Sequence, residues 1–531
     1  MSPGEPGSET VGNTVIGARG ATITGLQDAM NAGTLSSADL TACYLERIER
    51  LNPMLRAVIA VSPLAADDAR ANDRARAAGA SRGPLDGIPV LIKDNIGTRD
   101  LPATAGSPAL LRAAGADAFL VWRLRQAGAV ILGKANLSEW ANFRSTNSSS
   151  GWSTLGGQAV NPWGEGRNPS GSSSGSAVAV AAGLAPVAIG TETDGSIISP
   201  ASACGVVGLK PTVGLISRTG IVPISAAQDT AGPLTSCVSD AAVLLAAMAG
   251  ADPADDATRR APTRLSDLDD PATGQARARP GGPAAQGAPS GPAGYAAFLD
   301  PGALAGARLG VWRDGSKAAT PATVAVLDAA VALLRSLGAD VVDPVALPGA
   351  DEISEPEMTA LLYEFKRDLN AYLGGLPGDH PASLAELIAF NTANGDRVLA
   401  HFGQEIFEQA EATGDADGPA CAAARATAGQ LARGCLDSAF GEHGLDAVVA
   451  LSGSPAWLTD HVLGDHHVFG TSGPAAVAGY PSISVSAGLV SGLPVGLSFM
   501  GPAWSEPRLL GLGYAFEQAR PAQVKPRAAI T

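Results

Sequence analysis

Apolar residues recur along this chain in two rhythms. Leu35-Ser36-Ser37-Ala38-Asp39 reads as a helix start, with Ser36 as N-cap and Asp39 in the first turn. Leu40, Tyr44, Leu45, Ile48 and Leu51 follow at helical spacing, and Asn52-Pro53 is expected to end the run. The rhythm then shortens. Residues 88–92 are all apolar and follow a glycine, which suits a strand buried on both faces. Residues 118–126 read as a helix stopped by Gly128, and 129–132 as the next strand. Residues 177–182 read as a helix and 187–190 as a strand. This alternation predicts an α/β fold with a mixed, mainly parallel central sheet flanked by helices.

The pattern fails between 251 and 296. That stretch is mostly Ala, Asp, Pro, Gly and Arg, with too few large apolar residues to offset the entropy of ordering. It is expected to be a flexible insert. Periodicity returns with a strand at 309–312 and a helix at 323–337 closed by Gly338. Residues 350–447 look largely helical, 447–451 read as a buried strand, and 469–500 are Gly-rich with strand-like pieces such as 482–485. So few linkers predict one large domain over 22–522, with tails at 1–21 and 523–531.

Composition narrows the function. The chain has 531 residues, 46% hydrophobic and 16% charged, with a net charge of −15. No dense Lys/Arg run offers a phosphate-binding surface, so nucleic acid is excluded as a partner. The longest apolar stretch, 176–190, is broken by Gly183 and Pro186 and is too short to span a bilayer. The N-terminus lacks a basic start followed by an apolar run, so the expected location is cytoplasmic. Five scattered cysteines, none in a CxxC pair, read as buried free thiols.

Histidine supplies an informative absence. All six lie at or after position 380, and the cluster His461, His466 and His467 has no metal-site spacing. Nucleophilic chemistry in the first two thirds of the chain therefore needs another base. Three features stand out there. Lys93 ends the apolar run 88–92, where burial would depress its pKa and make it a base. A strand-end lysine reaching water is the plainer alternative. Residues 168–176, NPSGSSSGS, lead into a helix, as a flexible loop or as a close-approach segment. Residues 190–197, GTETDGSI, carry a buried strand into a tight turn around Ser196, and such a turn can aim backbone N–H groups at an oxyanion. Each serine alone is more commonly a turn or capping residue. Together they compose a His-free proton relay, in which a lysine and a second serine activate the first.

The run from Gly171 to Pro211, containing GSSSGSA, GTETDGSI and GVVGLKP, resembles the signature of the amidase-signature enzymes. GIPVLIKDN, GKANLSEW, QDTAGP, AAVAGYPS and GLPVGLSFMG extend the likeness, densely over 22–250 and more loosely over 298–520. The resemblance implies an amide hydrolase with Ser196 as nucleophile, Ser172 as bridging serine on a cis peptide bond, and Lys93 as base. It implies an oxyanion hole from the N–H groups of Thr193, Asp194, Gly195 and Ser196, and neither cofactor nor metal. Within the family, LSEWANFRSTNSSSGW, TETDGSI and VPISAAQDTAGP look most like peptide amidases, which act on C-terminally amidated peptides. Ile198 stands where many relatives carry Arg, which favours an uncharged substrate. The expected partner is thus a peptide or small-molecule amide, with monomer and homodimer both open.

Four alternatives accompany this reading, one of them a non-catalytic scaffold of the same fold, against the intact Lys93, Ser172 and Ser196. A broader aliphatic or aryl acylamidase shares the chemistry. A tRNA-dependent amidotransferase A-type subunit shares the signature, against the acidic charge and Ile198. An α/β-hydrolase would use Ser173, at the centre of Gly171-Ser172-Ser173-Ser174-Gly175, but that motif needs a preceding strand where the sequence reads as loop.

Overall fold

The computed structural model describes residues 21–261 and 294–521. Residues 1–20 and 522–531, which hold nearly all of both expected tails, and 262–293 of the expected insert lie outside them.

Among the described residues, eleven strands form the central sheet: β1 (Val58–Val61), β2 (Pro89–Lys93), β3 (Val130–Ala135), β6 (Val187–Glu192), β7 (Val207–Lys210), β8 (Thr230–Thr235), β9 (Arg308–Val311), β10 (Asp340–Val342), β11 (Ala447–Leu451), β12 (Ser482–Val490) and β13 (Leu493–Met500). A two-stranded ribbon, β4 (Trp152–Ser153) and β5 (Gly157–Gln158), stands apart. The sheet order is β1-β3-β2-β6-β8-β7-β12-β13-β11-β9-β10. The sheet is mixed. Parallel pairing holds β3, β2 and β6 in one wing and β11, β9 and β10 in the other, with antiparallel strands between.

The first wing positions the chemistry. Val90, Leu91 and Ile92 are fully buried between β3 and β6. Burying each such side chain contributes about 1.5–3 kcal/mol. Because β2 and β6 run parallel, Lys93 and the pair Thr191 and Glu192 finish at the same edge of the sheet. The helix Ser174–Ala182 lies against these strands and is apolar nearly all round, as a helix inside a core must be. Gly175 allows this approach: a Cβ there would sit 2.3 Å from the Ala57 carbonyl oxygen and 2.5 Å from that of Asn136.

Residues 354–443 are helical as expected, with main helices Ser354–Gly375, Leu384–Ala393, Glu405–Glu411 and Pro419–His443. Phe365, Leu369 and Phe407 join Trp140 and Phe143 in a second apolar core. Among the described residues, no helix is long and apolar enough to cross a membrane.

Two expectations are corrected. The helix starting after Ser36 continues through Pro53 to Leu55. Proline removes a single hydrogen bond in the last turn. The real stop is Arg56 in the left-handed region, with Asn52 bonding Val58 in both directions at 2.8 Å. Residues 251–261 and 294–296 of the expected insert are also structured. Residues 251–261 fold into a turn held by polar groups: Asp252 accepts from Ser217 Oγ at 2.6 Å, and Asp255 from the Arg218 backbone and guanidinium. Tyr295 is buried at the other end. Carboxylate anchoring replaces the apolar burial that this composition lacks.

Candidate active site

Lys93 ends β2 with no solvent exposure. Its Nζ lies 2.7 Å from Ser172 Oγ, 2.8 Å from Thr191 Oγ1 and 3.1 Å from the Thr191 carbonyl oxygen. Burial pulls its pKa down to about 7, and the charges of Glu192 and Asp229 only partly oppose that. The hydrogen-bond inventory suits either protonation state. An ammonium donates to all three oxygens. A neutral amine donates twice to Thr191 and turns its lone pair to the Ser172 hydroxyl. Three of the five lysines among the described residues are buried in this way. Lys134 is ion-paired with Asp94 at 3.2 Å, whereas Lys93 meets no carboxylate within ion-pair distance among the described residues.

Ser172 is fully buried and follows a cis Gly171–Ser172 peptide bond. Its carbonyl accepts from the Ser138 N–H at 3.1 Å. The neighbouring serines have other partners. Ser173 Oγ donates to the Thr191 carbonyl and accepts from the Thr191 N–H, at 3.1 and 3.2 Å. Ser174 Oγ donates to Ser170 O and Ser176 Oγ to Ile189 O. Ser173 is thus occupied by the β6 backbone, and loop precedes it, which removes the structural basis for the α/β-hydrolase alternative.

Ser196 follows β6 in a turn made possible by Gly195 at φ +78°, where a side chain would be strained. The Ser196 carbonyl accepts from the Ser173 N–H at 3.1 Å, tying this turn to the segment that carries Ser172. Glu192, overlooked in the sequence, holds the turn from beneath. Its Oε2 accepts from the N–H groups of Ile197 and Ile198 at 2.7 and 3.0 Å, capping the short helix Ile198–Cys204. Ile198 is fully buried. Among the described residues, the N–H groups of Thr193, Asp194, Gly195 and Ser196 donate to no protein acceptor, and the Thr193 Oγ1 donates to Asp229 at 2.6 Å. Asp194 keeps solvent access although protein surrounds it, as a residue lining a recess does. That enclosure raises its carboxyl to about 6.

The structure therefore places Lys93 in contact with Ser172, and ties the 193–196 turn to the Ser172 segment through the Ser173–Ser196 backbone bond, at the C-terminal ends of β2 and β6. Two further groups of polar side chains lie apart from this constellation. Arg144 is fully buried, pairs with Glu139 and donates to Val398 O, so it is unavailable to substrate. His461 stacks on His401 at 4.2 Å and His466 contacts Asp460, on an exposed loop. Lys210 stands out in the sequence only as part of a motif. It is buried near Glu192 and Glu506, and burial lowers its pKa to about 8.

The fold and the likeness to known proteins make this chain an amide-bond hydrolase. The amidase family profile matches residues 39–510, and the chain belongs to that family. It is 41% identical over 520 residues to an Arabidopsis thaliana protein described as a probable amidase, covering 96% of this chain and 91% of the relative. It superposes on the native peptide amidase of Stenotrophomonas maltophilia with a TM-score of 0.85 and 47% identity, covering 95% and 98% of the two chains. It is 34% identical to the A-type component of the glutamyl-tRNA(Gln) amidotransferase of Moorella thermoacetica, covering 93% of this chain and 95% of that one.

Proposed function

We propose that this amidase hydrolyses C-terminal peptide amides through Ser196, Ser172 and Lys93. The observation that carries the relay is the 2.7 Å approach of Lys93 Nζ to Ser172 Oγ in a pocket where the amine is depressed toward neutrality. Neutral Lys93 takes the Ser172 proton while Ser172 takes that of Ser196, and Ser196 Oγ bonds to the amide carbon. The oxyanion formed there faces the free N–H groups of the 194–196 turn. Collapse breaks the C–N bond, and the proton returns through Ser172 to the departing ammonia. Water then cleaves the acyl-enzyme by the reverse relay and releases the free acid.

The peptide-amide preference draws support from the 47% identity to a peptide amidase. The test is ammonia release from peptide amides, fatty amides and aryl amides, with Ser196→Ala and Lys93→Ala alongside. Peptide amides should turn over fastest, and both variants should lose activity by at least about 1,000-fold. Wild-type rates in Lys93→Ala contradict the relay. Turnover restricted to fatty or aryl amides contradicts the substrate assignment alone.

A further inference from the structure

Resting on that reading, we infer that Gln228 is a positioning residue for the oxyanion-forming turn, with its amide locked by Arg425 and Glu357 of the helical segment. Gln228 is 1% exposed. Its Oε1 accepts from Arg425 Nη1 at 2.8 Å. Its Nε2 donates to the Thr193 carbonyl at 2.9 Å and to Glu357 Oε1 at 2.6 Å. The chemistry fixes this orientation. Arg425 has only donors, so it must face the amide oxygen, which leaves the NH2 for the two acceptors. Both amide hydrogens are then satisfied.

The consequence lies across one peptide bond. The 193–194 unit is trans and planar, so its N–H points opposite to its C=O. Drawing the Thr193 carbonyl toward Gln228 aims the Asp194 N–H the other way. The Gly195 carbonyl is held likewise by the Ser199 N–H at 2.7 Å, which aims the Ser196 N–H. A flipped or drifting 193–194 unit would present an oxygen where the oxyanion forms.

Helices Ser354–Gly375 and Pro419–His443 carry no member of the triad, yet they hold this position. Arg425 donates to Glu364 Oε1 at 2.8 Å and to Oε2, and Glu364 accepts from Ser225 Oγ at 2.6 Å. Asp368 accepts from the Ala226 N–H at 2.7 Å. The loop before Gln228 is thus gripped by the same helix that supplies Glu357.

An oxyanion exists only after attack, so a positioning role affects kcat far more than KM. The test measures peptide-amide kinetics and inhibition by a peptide aldehyde, which forms an oxyanion-bearing adduct. In Gln228→Leu, kcat should fall about 10- to 100-fold, with KM within about 2-fold and the aldehyde inhibition constant rising as kcat falls. Arg425→Met, on a partly exposed side chain and safer for folding, should move all three in the same directions by less. Glu357→Gln should recover most of what Glu357→Leu loses, because an amide oxygen accepts the same bond. Wild-type kcat in both Gln228→Leu and Arg425→Met overturns the inference, as does a KM that rises in step with the aldehyde constant. Ser196→Ala separates the two levels. If it is inactive while the Gln228 and Arg425 variants are normal, only the positioning role falls; if it is active, the nucleophile assignment falls.

Discussion

The pH dependence of the free enzyme follows from the setting of Lys93. Burial places this amine at about 7, against an ordinary 10.5. At pH 7 about half of the molecules then hold a neutral Lys93, and at pH 5.5 about 3%, whereas an unshifted lysine would be neutral in about one molecule in 3,000 at pH 7. Since only the neutral amine accepts a proton from Ser172, kcat/KM should rise about tenfold per pH unit below the inflection. It should level off above about 7.5. Glu192 is the largest charge favouring the ammonium. Glu192→Gln retains an acceptor for Ile197 and Ile198 but removes that charge, so the inflection should move lower. The assay is continuous ammonia release from an uncharged peptide amide between pH 5 and 9.5. A flat profile, or a rise that continues to pH 9.5, would refute the lysine's role as neutral base. So would an inflection that moves higher in Glu192→Gln.

Three further outcomes are expected. Lys93→Met should raise the melting temperature most below about pH 7, where the folded protein bears the full cost of a buried ammonium. The gain should shrink as pH rises from 7 toward 10.5, the ordinary value, and a constant gain across that window contradicts the buried-amine account. Gly175→Ala should destabilise the protein by about 1–3 kcal/mol in urea melts, because its Cβ meets two rigid backbone oxygens; an unchanged midpoint would show that the helix can move away. Arg144→Met should lower stability by about 3–5 kcal/mol by stranding buried Glu139, while KM of the folded fraction stays unchanged; a raised KM would place Arg144 in contact with substrate.

Much of this was legible in the sequence because it depends on local pattern. Strands β2, β6 and β11 are built on apolar runs, so their burial on both faces could be read directly, although β6 runs two residues beyond the expected 187–190 to include Thr191 and Glu192. Lys93 stood out as a charge ending such a run, and Ser172 and Ser196 through their motifs. What escaped depends on contacts distant along the chain. Glu192 looked like part of a turn, and its capping role appears only once the chain doubles back onto its carboxylate. Gln228 meets Glu357 and Arg425 across 129 and 197 residues, where no spacing rule operates. The boundary errors share a cause. Asn52-Pro53 reads as a helix stop and 251–261 as too poor in apolar residues to order, whereas side-chain hydrogen bonds hold both.

The central claim is that Ser196 carries the acyl group. Acid-quenched enzyme taken during turnover of a slow peptide amide, digested and sequenced by mass spectrometry, tests it most directly. The acyl mass should appear on Ser196 in the wild-type protein and be absent from Ser196→Ala. An acyl mass on Ser172 or Ser173, or an adduct that survives in Ser196→Ala, would contradict it.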